Sequence, residues 1–258
     1  MDNPLTHTSA TIQTRLQNRK QGIGPSRAKK NECKPWLKKM WCIQEITPEY
    51  RERMYRLLNL YKKPYDPHHP VICIDEKSKQ LLEDSRQPIV AKPGRVEKYD
   101  YEYKRKGTCN IFMAVNPKGG IRNIKVTDTR TKADFANFIK DLVEVHYAKV
   151  EYIQIVLDNL NTHFEGSLIE TFGRREAARL LKKVRFIYTP KHASWLNMAE
   201  IEINIMDRQC TSGRIACKKK LTTTVVKWAK RRNKEKSIIN WKFTRQDADK
   251  KLSKHYVA

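Results

Sequence analysis

Three acidic residues, Asp75, Asp158 and Glu200, stand in settings from which their carboxylates could act together. Asp75 closes the apolar run Val71–Ile74 and Asp158 closes Tyr152–Leu157, and open α/β sheets place their ligand crevice at such carboxyl ends of strands. If the two strands are neighbours, the carboxylates converge. Glu200 lies in a stretch of helical pattern, with Asn197 three residues before it and Asn204 four after, so that all three share a face. Glu202 falls about 200° away around that helix, and its replacement is expected to be mild. Each residue alone has an ordinary explanation, a solvated turn for the aspartates and a helix surface for the glutamate. Together they form a hard oxygen donor set of the kind that binds magnesium. Two such ions about 4 Å apart activate a water or a 3′-hydroxyl on one side and stabilise the leaving oxygen on the other, which gives in-line phosphodiester displacement. Glu76 is a rival to Asp75, but strand alternation sends its side chain to the opposite face.

The elements that must position these groups are legible in outline. Pro48–Tyr61 carries Tyr50, Met54, Leu57, Leu58 and Tyr61 at helical spacing, and Pro64, Pro67 and Pro70 stop it. Val71–Ile74 has the length and β-branched content of a buried strand. Asn110–Val115 and Ile121–Val126 flank a turn ending in Gly119 and Gly120 and read as a hairpin. Thr131 is a plausible cap for a helix whose Phe135, Phe138, Ile139, Leu142 and Val143 fall on one side. Tyr152–Leu157 and Val184–Tyr188 read as strands, separated by a helical stretch over Leu168–Lys182. Ser194 can cap a helix through Gln209, and two basic helices follow over Leu221–Lys236 and Thr244–His255. The expected fold is one α/β domain, a mixed central sheet flanked by helices in the element order of the ribonuclease H-like fold.

Charge is the largest compositional signal. The 258 residues contain 53 Lys and Arg against 28 Asp and Glu, a net charge of +25 that calls for a polyanionic partner. It is concentrated at the ends, with +7 over residues 1–40 and +12 over residues 211–258. No apolar stretch approaches the length of a spanning helix, and the polar first ten residues lack a secretory signal, so the expected location is the cytoplasm, associated with the nucleoid. Cys33, Cys42, Cys73, Cys109, Cys210 and Cys217 form no C-x-x-C pair and are expected to be reduced thiols. The expected organisation is a basic polar arm over residues 1–30, a helical connector over 31–66, a catalytic domain over 67–210 and a basic helical extension over 211–258.

Three motifs, Asp158-Asn-Leu-Asn-Thr-His163, the thirteen residues from Tyr188 to Glu200 (YTPKHASWLNMAE) and Trp241-Lys-Phe-Thr244, resemble those of DDE transposases of the insertion sequence 630 family, bacterial relatives of mariner elements. The similarity runs from about Asn31 to Tyr256. It implies a ribonuclease H-like catalytic domain with Asp75, Asp158 and Glu200 as catalytic acids and metal ligands. It further implies Mg²⁺ or Mn²⁺ as cofactor, two ions in all, and DNA as partner, with element ends cut and joined to a target, commonly a TA dinucleotide. A homodimer is expected, and no membrane association.

The resemblance gives Asn159 and His163 a supporting role at the metal site, beside Asn197. Lys191 and His192 could hold a phosphate, and Trp195 suits either a stacked base or the core. Lys218, Lys219, Lys220, Arg231 and Arg232 read as phosphate contacts or as a solvated face. In one respect the chain departs from the family pattern, since Ala193 stands where glycine is usual, and this matters if the loop needs a positive φ. Family members also begin with a helix-turn-helix, of which the arm is expected to be a remnant that reads sequence weakly. The alternative readings are a non-catalytic DNA-binding remnant of such a transposase and a host nuclease on the same fold.

Overall fold

The structure, a computed structural model, describes residues 45–257. The arm over residues 1–30, the first part of the connector and the thiols Cys33 and Cys42 lie outside the described residues. Helix α1, Pro48–Lys62, starts with proline in its first turn and with Thr47 as cap, whose hydroxyl accepts the Tyr50 N–H at 3.2 Å. It buries Met54, Leu57, Leu58 and Tyr61, the stripe expected from their spacing.

Strand β1 is Val71–Asp84, ten residues longer than the apolar run that announces it. Its second half, Asp75 to Asp84, is mostly charged or polar, which hides it from a hydrophobicity reading. Backbone pairing supplies what the side chains do not signal, because β2, Tyr103–Asn116, runs antiparallel to it from Cys73 opposite Val115 to Asp84 opposite Tyr103. Strand β3, Ile121–Thr127, completes the expected hairpin. Its turn needs Gly120, which sits at φ 68° and whose Cβ would come within 2.8 Å of the Lys236 carbonyl carbon. Helix α2, Lys132–Asp141, begins at a capping box of Thr131 with Asp134 and runs on through a wider turn at Leu142–His146. Strand β4, Ile153–Leu157, helix α3, Glu165–Leu181, and strand β5, Val184–Tyr188, follow, with α3 broken at Gly173 by a φ of 79°.

The sheet order is β3-β2-β1-β4-β5, antiparallel across β3, β2 and β1 and parallel across β1, β4 and β5. This is a mixed five-stranded sheet with helices packed on it, as expected. One face buries Phe112, Phe135, Phe138, Leu142, Leu157 and Leu168 beneath α2 and α3. The other buries Ile111 and Met113 beneath helix α4, Met198–Met206, and helix α5, Lys218–Lys234.

Residues 211–258, expected as an extension, are built into the domain. Leu221, Val225 and Trp228 of α5 lie in the same buried cluster as Met113 and Met206. Helix α6, Arg245–Leu252, packs on α1, where the Tyr55 and Tyr256 hydroxyls both reach Asp249. The Ile46 N–H donates to the His255 carbonyl at 2.8 Å, and Val257 returns a bond to Ile46 at 3.1 Å. Deleting this segment would open the core, so its cations must be tested by substitutions at exposed positions that leave the buried face intact. Among the described residues no helix is long and apolar enough to cross a membrane.

Candidate active site

Strands β1 and β4 are neighbours, and the parallel register runs as far as Cys73 opposite Val156. Two residues further on, Asp75 and Asp158 come level, on the same side by alternation. Asp75 does not end its strand, contrary to the sequence reading; it lies two residues beyond the part of β1 that pairs with β4. The adjacency that convergence required is present.

Glu200 is brought in by the start of α4. The Asn197 side chain caps this helix, accepting the Ala199 N–H at 3.1 Å, and donates at 2.8 Å to the carbonyl of Ile74, the residue before Asp75. Asn197 is buried, so the turn that carries Glu200 is tied to the strand that carries Asp75. Helical spacing placed Asn197 on the helix face beside Glu200. It instead precedes the helix, because Ser194–Leu196 forms a separate tight turn.

Burial raises the Asp75 carboxyl to about 7, and the charges of Glu76, Asp158 and Glu200 add to the rise against the Glu76 N–H bond. Asp75 therefore feels both of the other expected acids. The folded chain holds a proton on Asp75 up to about pH 7, whereas the unfolded chain releases it near 3.8. Between those values the native state binds more protons, so stability falls as pH rises. Asp75→Asn, neutral at every pH, is expected to raise the melting temperature of the metal-free chain above the wild type at pH 8, with the gap closing near pH 4. Thermal unfolding in chelator at the two pH values measures it, and an equal gap at both would show that Asp75 ionisation is not the cause.

Burial also opposes charge on Asp158, but the bond and charge of His163, the Leu160 N–H and the charge of Arg130 outweigh it and hold this carboxyl below its usual range. His163 Nδ1 lies 2.6 Å from Asp158 Oδ1, and Nε2 lies 3.0 Å from Glu76 Oε2. Burial would lower the imidazole, yet these two carboxylates push it up to about 9. At 1% exposure His163 touches no phosphate; it serves Asp158. The Asn159 amide donates to the Thr189 carbonyl at 2.7 Å, and its oxygen accepts from Arg53 of α1 at 3.4 Å. Arg130 Nη1 is 3.3 Å from Glu76 Oε1. Arg53 and Arg130 escaped the sequence reading because each lies far along the chain from the acids; only the helix cap at Thr131 marked the neighbourhood of Arg130.

The expected DNA contacts divide. Lys191, His192, Lys219, Lys220 and Arg231 are exposed. Trp195 is 41% exposed, with Phe243 edge-on at 5.5 Å, so it is neither core nor isolated. Lys218 pairs with Asp128 at 2.6 Å. Arg232 is a correction, since both Arg122 and Arg232 bond the buried carboxylate of Glu202, at 2.9 and 2.5 Å, and Arg232 is not offered to a phosphate.

The glycine question at Ala193 resolves one residue earlier. Ala193 has φ −122° and is buried, while His192 has φ 58°. The left-handed conformation costs a side chain roughly 1–2 kcal/mol, partly offset by the extra unfolded-state freedom of glycine. His192→Gly is accordingly expected to be neutral or stabilising by up to about 1 kcal/mol, whereas Ala193→Gly destabilises by about 0.5–1 kcal/mol. Urea unfolding of both variants checks the order, and the reverse order would place the strain elsewhere.

A divalent cation fits the chemistry of this group. Its donors are carboxylate oxygens, and both hydrogen bonds to Asp158 fall on Oδ1, leaving Oδ2 with no partner among the described residues. Among the described residues no three Asp, Glu, His or Cys side chains are grouped so that they could hold a metal ion as they stand, which accords with the repulsion among like charges.

Residues 70–222 match the family model described as DDE superfamily endonuclease. Among solved structures, the crystal structure of the Mos1 mariner paired end complex with Mn is similar over 92% of this chain and 75% of that one, at 14% identity and a TM-score of 0.50. The Mos1 Strand Transfer Complex is similar over 92% and 77%, at 13% identity and a TM-score of 0.49. At 14% identity the first of these likenesses is one of fold, and it agrees with the mixed five-stranded sheet flanked by helices described above. No curated protein sequence matches the chain.

Proposed function

The chain belongs to the DDE superfamily endonucleases, and from that we propose that it is a DNA transposase of the insertion sequence 630 kind, which cuts element ends and joins the freed 3′-hydroxyl to a target at TA. The observation that carries this reading is the meeting of Asp75, Asp158 and Glu200 from β1, the end of β4 and the first turn of α4, close enough for their charges to act on Asp75. Those carboxylates would hold Mg²⁺ or Mn²⁺, two ions in all. When bound, such ions supply Lewis acidity at the attacking and leaving oxygens of a phosphodiester.

The protein's own groups do the rest. Asn197 fixes the separation of Glu200 from Asp75 by binding both elements. The His163 bond restricts Asp158 to one orientation. Lys191 and His192 flank the approach to Glu200 and orient a phosphate, and the exposed part of Trp195 offers a surface for a base left unpaired beside the cut. Two copies of the chain would hold two element ends, in the cytoplasm of a bacterium.

The direct test is Mg²⁺-dependent nicking of a supercoiled plasmid, followed by joining of a cut element end to a TA-containing target. Nicking that persists in chelator would rule the reading out. Backbone electrostatics should dominate DNA affinity, with a log-log salt slope of about −0.9 per phosphate neutralised. Changing Lys219, Lys220 and Arg231 together to glutamine leaves the buried face of α5 intact, and it is expected to flatten that slope by up to about 2.7. Filter binding at several salt concentrations measures it; an unchanged slope would assign these cations to a solvated surface.

A further inference from the structure

We propose that Glu76 and His163 form one positioning device for the acidic site, in which Glu76 holds the imidazole at Nε2 and the imidazole fixes Oδ1 of Asp158. The inference rests on the metal-dependent reading of that site and adds residues to it. Its starting point is the position of Glu76 in the sheet. Alternation turns its side chain away from Asp75, toward the face covered by α2 and α3, where Phe112 is its partner across the ladder to β2. The side chain is 4% exposed and points at His163, which is itself buried and packed on the Phe135 ring at 4.8 Å. Burying charged groups costs several kcal/mol per ion unless partners compensate, and here the compensation is a continuous row: Arg130 at 3.3 Å from Oε1 of Glu76, Oε2 at 3.0 Å from Nε2, and Nδ1 at 2.6 Å from Asp158. Glu76 Oε2 and His163 Nε2 meet off the line of an ideal hydrogen bond and have no other partner among the described residues, so each depends on the other.

Glu76 reaches both aspartates. Its N–H donates to Asp75 Oδ1 at 2.8 Å, and through His163 it restrains Asp158 Oδ1. In each carboxylate one oxygen is occupied by the protein, and Oδ2 takes no bond from the described residues. A carboxylate behind a histidine behind a ligand oxygen is the arrangement by which outer partners orient metal-binding groups, and its loss typically weakens affinity or activity by about 10–100-fold. Glu76 is therefore a positioning residue, distinct from the ligand role that its place beside Asp75 also suggested.

Mn²⁺ binding to the full chain, followed by electron paramagnetic resonance, tests this without reference to cleavage. Glu76→Gln and His163→Gln are each expected to weaken Mn²⁺ binding about 10–100-fold. The double variant should be no weaker than the weaker single one, because both act along one path. Additive losses, or wild-type affinity in Glu76→Gln, would overturn the proposal, and a lower Mn²⁺ stoichiometry in Glu76→Gln would do so by making Glu76 a ligand. Should a variant fail to show cooperative unfolding, the wild type provides a second measurement: nitrogen NMR signals of the His163 ring should move when Mg²⁺ is added, and fixed signals would overturn the idea. A wild type that binds no Mn²⁺ at all would reject the transposase reading itself, a different result from binding that is insensitive to Glu76.

Discussion

Asp158→Ala and Glu200→Ala are each expected to reduce plasmid nicking by at least about 10³-fold while leaving DNA binding within a few-fold of wild type. The size follows from the chemistry. A correctly held ion is worth several kcal/mol of transition-state charge stabilisation, and each 1.36 kcal/mol is a factor of about ten in rate. Binding survives because affinity for DNA comes mainly from cations paired with phosphates, and neither carboxylate contributes to that. Removing a negative charge near the DNA path should, if anything, tighten binding slightly. The measurement is a time course of supercoiled plasmid converted to nicked circles in Mg²⁺, beside filter binding on the same preparations. Full cleavage by the Glu200 variant would place the third acid elsewhere, whereas loss of binding together with cleavage would mean that the change had damaged the fold.

The second large effect falls on a glutamate two residues away and concerns stability. Helical spacing turns Glu202 away from Glu200, which from the sequence alone made its replacement look harmless. In the structure the carboxylate is fully buried, accepts two bonds from the equally buried Arg122 and two more from Arg232, and so bridges two guanidinium groups that solvent does not reach freely and offsets the charge of one of them. Arg122 Nη1 already lacks a hydrogen-bond partner among the described residues. Glu202→Ala would leave two cations facing each other in the interior, and breaking a buried ion pair from one side costs about 3–5 kcal/mol. For a domain of this size that corresponds to a fall in melting temperature of roughly 6–20 °C. Thermal unfolding at neutral pH measures it, and a fall of less than about 2 °C would show that water reaches the cluster and screens it. Replacing all three residues with apolar side chains of similar volume should cost far less than Glu202→Ala, since a buried ion cluster contributes little net stability once its desolvation is counted.

Glu202 also shows where reading the chain stops. The helix over this region, its buried face and the angle between Glu200 and Glu202 follow from local spacing, because a helix is defined by bonds four residues apart. The same holds for the cap at Thr131, for the hairpin around Gly119 and Gly120, and for the apolar starts of β1, β4 and β5. That Asp75, Asp158 and Glu200 could come near one another was legible too, since each follows or sits within a strongly patterned element, and in the fold the charges of the other two act on Asp75.

What the sequence could not decide is which elements touch. The polar half of β1 is a strand only because β2 pairs with it, and a backbone ladder leaves little trace in side-chain pattern when both strands are charged. Residues 211–258 read as a basic extension because their cations far outnumber their acidic residues, yet Leu221, Val225 and Trp228 among them complete the core over Met113. Glu76 faces a histidine 87 positions away and Glu202 faces arginines 80 positions before and 30 after it. Such partners are set by the order β3-β2-β1-β4-β5 and by the packing of α5 on the sheet. The types of the chemical groups are local properties of the chain, whereas the charge that each one meets in the interior is fixed only when distant segments exclude water together.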